Sequence, residues 1–416
     1  MKVPLVVALL AVHSAAVISA PAGESHDTIT EPLNKFSLSL LKVLAQEKGE
    51  ENLIFSPFSV SSALSVLLLG ARGSTAEQIQ KSLHFDHLSA TTPAVTVDQQ
   101  FKRLIDERIK SGSSVSVANL ILVRKQEAAV NAVLNNFKAQ AADSYAARVD
   151  DVDFSDGAKV KSDVNEWVKT QTKGLIGSML TSPPAADARA ILLNSIHFKG
   201  EWDQKFSSSM THNMSFLNRG VENTTTQFMM KMMKYFPYAD VTIAGQKAQV
   251  LELPYEKDSL SMLIVLPDAK TGLKTITATP EFEAEIEAAI FGGQNNRSSH
   301  EVNVHIPKFK IESDVSLVEP LSKLGVNKMF TTDADLSGIT GETNLFVQSA
   351  KHKAVVSVDE DGTEAAAVTM FDVYPESARY PYVPPKNFHA DHPFLFFIVD
   401  RRADPLILFA GKVEAL

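Results

Sequence analysis

No cysteine occurs among the 416 residues. Thiolate catalysis, cysteine metal centres and disulfide stapling are therefore excluded, and stability must come from a core that a chain of this length can supply. Positive charge is not in excess either. Forty Lys and Arg stand against 49 Asp and Glu, for a formal net charge of −9, and the acidic residues are spread along the chain. That balance argues against nucleic acid or a polyanionic surface as the main partner. Beyond the N-terminus no run approaches the ~18 apolar residues of a membrane helix, so no membrane partner is expected. No Pro-rich or Ser-rich linker, repeat or low-complexity tract divides the chain, and one domain is expected over residues 23–416.

Catalytic signatures are missing too. There is no G-x-S-x-G elbow, and Gly70-Ala71-Arg72-Gly73-Ser74 lacks its pattern. His300-Glu301 with His305 is one residue off the H-E-x-x-H spacing and lies in a strand-like segment, so it reads as surface polarity. Asp359-Glu360-Asp361-Gly362 brings its glycine two positions too early for a calcium loop. No glycine loop suited to a phosphate occurs. The chain is expected to be no enzyme, with no catalytic residue, no metal and no cofactor.

At the N-terminus, Met1-Lys2 precedes an apolar run from Val3 to Val12 and then small residues at Ser14, Ala15, Ala16, Ser19, Ala20 and Ala22. This reads as a secretory signal peptide over residues 1–22, cleaved somewhere between 16 and 22. Three sequons fit export: Asn213-Met214-Ser215, Asn223-Thr224-Thr225 and Asn296-Arg297-Ser298, with Asn223 in the most loop-like surroundings. The expectation is a secreted, extracellular glycoprotein.

Helical periodicity dominates the first half. It predicts helices over Leu33–Gln46, Val97–Lys110, Val130–Ser144 and Ala158–Thr172, the last with Val160, Val164 and Trp167 on one face. Ser59–Leu69 is apolar nearly all round after Ser56-Pro57, which predicts a buried helix starting near the proline. Strand signals follow at Val115–Val123, Ala190–Phe198, Ala248–Pro254, Leu260–Leu266, Glu301–Lys310, Phe346–Val358 and Phe394–Val399. Helices first and mostly antiparallel strands later make an α+β order. Pro375–Pro385 is rich in proline and tyrosine and reads as an extended loop.

The most informative stretch runs from Ser349 to Thr369. An alternating strand through Ala354, Val356 and Val358 crosses an acidic turn and becomes a run of small residues from Thr363 to Ala367. Alanines bury little apolar area, so such a run suits a segment that is exposed first and slides between strands later. The stretch closely resembles the hinge of the serpin family, whose reactive loop becomes an extra strand of its own sheet after a protease cuts it. Asn52-Leu-Ile-Phe-Ser-Pro-Phe-Ser59, Leu192-Leu-Asn-Ser-Ile-His-Phe-Lys-Gly-Glu-Trp202, Ala390-Asp-His-Pro-Phe-Leu-Phe-Phe-Ile398 and Leu408-Phe-Ala-Gly-Lys-Val413 resemble that family's motifs in order, from about Leu33 to Val413.

The resemblance implies a serpin fold of three sheets and about nine helices. It also implies a polar shutter at Ser56, Ser59, Asn194 and His352, a breach at Trp202, and a hinge at Glu360, Gly362, Thr363, Glu364, Ala365, Ala366 and Ala367. The reactive loop spans about 360–387. A serine protease would be trapped covalently after cutting it, and the chain would act as a monomer. Within the loop, Thr363, Ala365, Ala367, Thr369, Phe371 and Val373 share an uncharged face, while Glu364 and Asp372 fall on the other. No proline occurs between Gly362 and Tyr374, which favours insertion over a carrier, chaperone or storage role. The family's usual spacing from Glu360 implies a reactive bond at Glu376-Ser377; counting back from Phe388 and the C-terminal strand implies Arg379-Tyr380 instead. A glycosaminoglycan is not expected, because Leu83–Leu88 carries no Lys or Arg. Phe101–Lys110 mixes Lys102, Arg103, Arg108 and Lys110 with Asp106 and Glu107.

Overall fold

Pro57 opens the helix around which the rest is packed. Its ring suits the first helical turn, and the Ser56 hydroxyl caps the helix by accepting from the Ser59 N–H at 3.1 Å. The helix runs Pro57–Gly70 and is buried along almost its whole length. Gly70 lies so close to Ile339 that a Cβ would meet its Cγ1 at 2.2 Å, so a glycine is needed for the Ser337–Thr340 turn to pack there. The computed structural model describes residues 29–416 apart from 87, 89–95, 111–114, 126–131, 257–258, 293–297, 364–383 and 403. The expected signal segment and most of the reactive loop therefore lie outside the described residues.

One side of this helix meets a seven-stranded sheet, in which Arg148–Val152, Val115–Arg124, Ala190–Phe198 and Val347–Val358 follow one another, with Phe309–Ser316 beyond. Ala190–Phe198 is buried at every residue because both its faces are covered. Leu192 and Ile196 join the main core. Ile191 and Leu193 face a second cluster under the helix Gly157–Gln171. That helix buries Val160, Val164 and Val168; Trp167, expected on the same face, is only half-buried beneath the Arg148 guanidinium.

The other strands form a nine-stranded system threaded by one long strand, Glu222–Ile243. Its first part pairs with His212–Asn218 and Ser299–Pro307, its last part with Gln246–Pro254. The three expected sheets are thus present, two of them sharing this strand, with ten α-helices among the described residues. The expected single strand over Glu301–Lys310 is two: Ser299–Pro307 and Phe309–Ser316 lie in different sheets, broken at Lys308. The helix over Val97–Lys110 is α-helical only to Leu104 and continues as a wider π-turn from Ile105 to Lys110.

Candidate functional site

Ala190–Phe198 and Val347–Val358 are parallel neighbours, and their register sets His352 beside Asn194. Both side chains point to the capped start of the central helix. The Ser56 N–H donates to His352 Nε2 at 3.0 Å, and the Ser56 hydroxyl donates to the Leu408 carbonyl at 2.6 Å. Because Nε2 accepts, the neutral ring carries its proton on Nδ1, which faces Asn194 Oδ1. Asn194 Nδ2 donates to the Ser59 carbonyl at 3.0 Å and also touches the Ser59 hydroxyl and the Asn119 amide oxygen. Ser56, Ser59, Asn194 and His352 are fully buried and joined in one network. The structure extends it to Asn119, directly across from Asn194, and through the Asn119 amide to Ser62. Asn119 is a lone amide inside an apolar strand, a signal that was readable in the sequence.

Burial lowers the His352 pKa from its ordinary 6.5 to about 3. Between those values the unfolded chain binds a proton that the folded chain refuses, so this group's contribution weakens as pH falls from about 6.5 towards 3. The loss should reach several kcal/mol. Denaturant midpoints should fall with pH across this window, and His352→Gln should show a shallower dependence. Its amide can accept from Ser56 and donate to Asn194 without titrating. Identical slopes for the two proteins would remove His352 as the cause.

At the top of the same strand pair the hinge is already docked. Gly362 and Thr363 pair antiparallel with Glu201 and Gly200, and Thr363 also pairs with Val358. The expectation of an exposed hinge fails here: Thr363 is fully buried, its hydroxyl 2.9 Å from the Tyr255 hydroxyl. Gly362 has φ +152°, and a Cβ on it would meet the Gly200 carbonyl oxygen at 2.1 Å, so backbone runs against backbone. Trp202 stacks on Tyr255, with centroids 4.5 Å apart and planes 11° from parallel. Its Nε1 donates to the Asp359 carbonyl and its backbone N–H to that of Asp361, both at 2.9 Å. Glu360 accepts from Lys308 Nζ at 2.7 Å and from the Thr211 hydroxyl at 2.6 Å. Although desolvation works against it, these partners hold its carboxyl below the ordinary range. Nothing near them in sequence marked Tyr255, Thr211 or Lys308 as hinge partners.

Glu364, Ala365, Ala366, Ala367 and both candidate reactive bonds, Glu376-Ser377 and Arg379-Tyr380, lie outside the described residues, as does Asn296. Asn213 and Asn223 are exposed, but Asn223 is not in a loop: it pairs with Leu217 across two strands, and the Ser215 hydroxyl donates to its side chain. His305, read as surface polarity, is buried, and His300 is half-buried beside Ser298.

Residues 31–416 match the family model described as Serpin (serine protease inhibitor). The leukocyte elastase inhibitor of Bos taurus is 37% identical over 390 residues, covering 92% of this chain and 97% of the relative. Intracellular coagulation inhibitor 2 of Tachypleus tridentatus is 35% identical over 398 residues, covering 95% and 93%. The crystal structure of Serpin48, a highly specific serpin in the insect Tenebrio molitor, superposes with a TM-score of 0.78 at 30% identity, covering 94% of this chain and 99% of that one. These relatives overturn the expected secreted, extracellular localisation. They point away from secretion, one of them being by name an intracellular inhibitor. An N-terminal charge followed by apolar and small residues was too short a pattern to carry that assignment. The family match over residues 31–416 and the relatives together show that this chain belongs to the serpin family of serine protease inhibitors.

Proposed function

We propose that this chain inhibits a serine protease as a suicide substrate. The protease's serine attacks a carbonyl between Glu376 and Tyr380, expels the new amine and is left as an ester to the loop. The residues after the docked Thr363 then enter the sheet between Ala190–Phe198 and Val347–Val358, carrying the protease along before water can release it. This chain supplies the bait and the free energy; the protease supplies every catalytic group.

The observation that carries this reading is the docked pair Gly362–Thr363, antiparallel to the strands on both sides of it. It has the register and direction a longer inserted strand would need. Below it, the Ser56, Ser59, Asn194 and His352 network supports the shutter role. Hydrogen bonds between hydroxyl, amide and imidazole can be exchanged as strands part, whereas interlocked apolar side chains resist sliding. Glu364 to Ala367 would follow Thr363, the alanines needing little space.

Incubation with a panel of serine proteases should give a complex that survives boiling in detergent and one released C-terminal peptide. From their residues, the peptide released by cleavage after Glu376 is about 4.6 kDa and that released after Arg379 about 4.3 kDa. Intact mass therefore identifies the bond. Rapid turnover to nicked protein with no complex would favour a carrier, chaperone or storage role instead.

A further inference from the structure

Strand pairing sets three soft donors in one row of the sheet that contains Ser299–Pro307. His305 lies directly across from Met230 on one side and from His389 on the other. Residues directly opposite on neighbouring strands share a face, with Cβ atoms about 4.5–5.5 Å apart. The two imidazoles are in contact, their centroids 3.9 Å apart and their planes at 68°. His305 is 6% exposed, yet its Nδ1 has no hydrogen-bond partner. A buried polar atom in that state costs about 1–3 kcal/mol, which a bound ion or water would relieve.

His389 is exposed and borders a cavity of about 310 Å³ lined also by Gln249, Asn387 and His392, which gives an ion a way in. His392 is already engaged, Nδ1 with Asp391 at 2.6 Å and Nε2 with the Pro267 carbonyl at 2.5 Å. Among the described residues no three His, Cys, Asp or Glu side chains are placed to hold a metal ion. The third donor here is a thioether. Two imidazoles and a thioether, with no carboxylate among them, select a soft ion over calcium or magnesium. We propose that Met230, His305 and His389 form a site for one monovalent copper ion, clipping the short strand Lys386–His389 to its neighbour.

That strand is four residues long and starts two residues beyond the 364–383 segment, so the clip would strengthen the C-terminal anchor of the loop. The test is anaerobic competition of the full chain against copper(I) bicinchoninate. Wild type should withdraw one ion per chain from the chelator. His389→Gln changes an exposed side chain, leaves the fold intact and should lower the affinity by roughly tenfold or more. Met230→Leu keeps volume, removes the sulfur and should weaken binding as well. A wild-type chain that leaves the chelator fully metallated overturns the proposal. So does a His389→Gln chain that competes as well as wild type, and unchanged affinity in Met230→Leu overturns the three-donor site.

Discussion

Nicked within Asp372–Tyr380, even by a protease it does not inhibit, the protein should melt tens of degrees higher than the intact chain. Ala190–Phe198 and Val347–Val358 now pair with each other in parallel, a ladder slightly weaker per residue than an antiparallel one. A strand continuing from Thr363 would run antiparallel to both, replacing one parallel ladder with two antiparallel ones. If ~10 net hydrogen bonds form at about 1 kcal/mol each, the gain matches the whole stability of an ordinary domain. The intact fold is then held by kinetics, with the rearranged sheet as its lower state. Circular dichroism during heating compares the two forms. Equal melting curves for intact and fully nicked protein would mean that insertion releases no stored free energy, and trapping as described could not work.

The strands closest to this event were the ones most legible in sequence. Ala190–Phe198 appears with the expected bounds, and the central helix starts at its proline as expected, because long apolar runs with clear stops leave little choice. Glu222–Ile243 was invisible. Its run Phe228-Met-Met-Lys-Met-Met-Lys234 has no alternation, because a bulge opposite Asn303 and a half-exposed position in the sheet remove the usual period. Lys308 as a break between sheets was equally hidden, since both flanking segments alternate alike and only tertiary pairing separates them. Polar residues of the network were readable as a resemblance, but their number was underestimated. Asn119 comes from a strand whose register with Asn194 no local pattern encodes. The hinge alternation placed Thr363 on an uncharged face; its burial in the uncut chain depends on Tyr255, over 100 residues away.

Replacing Thr363 by arginine should convert the protein from inhibitor to substrate. The position is fully buried, bounded by the Gly200 backbone and by the Tyr255 ring that Trp202 holds in place. Burial keeps the Tyr255 phenol neutral far above its ordinary titration range, so it offers a guanidinium no counter-charge. An unpaired guanidinium there would cost several kcal/mol, so the hinge should leave the sheet even before cleavage. With only two tryptophans in the chain, a change in Trp202 fluorescence would report that departure. The loop stays available to proteases, but insertion now begins with its most costly residue, and the ester is hydrolysed first. Cleavage should continue while detergent-stable complex falls by more than tenfold, since each 1.4 kcal/mol added to the insertion barrier slows it tenfold against hydrolysis. Thr363→Ser keeps the hydroxyl facing Tyr255 and should trap as well as wild type. Thr363→Val keeps the size and leaves the Tyr255 hydroxyl unpaired, at about 1–3 kcal/mol, so it should fall between the two. A Thr363→Arg protein that traps at wild-type stoichiometry would mean that insertion does not pass through this position, and the docked pair would be a lock on the intact fold with no part in the trap.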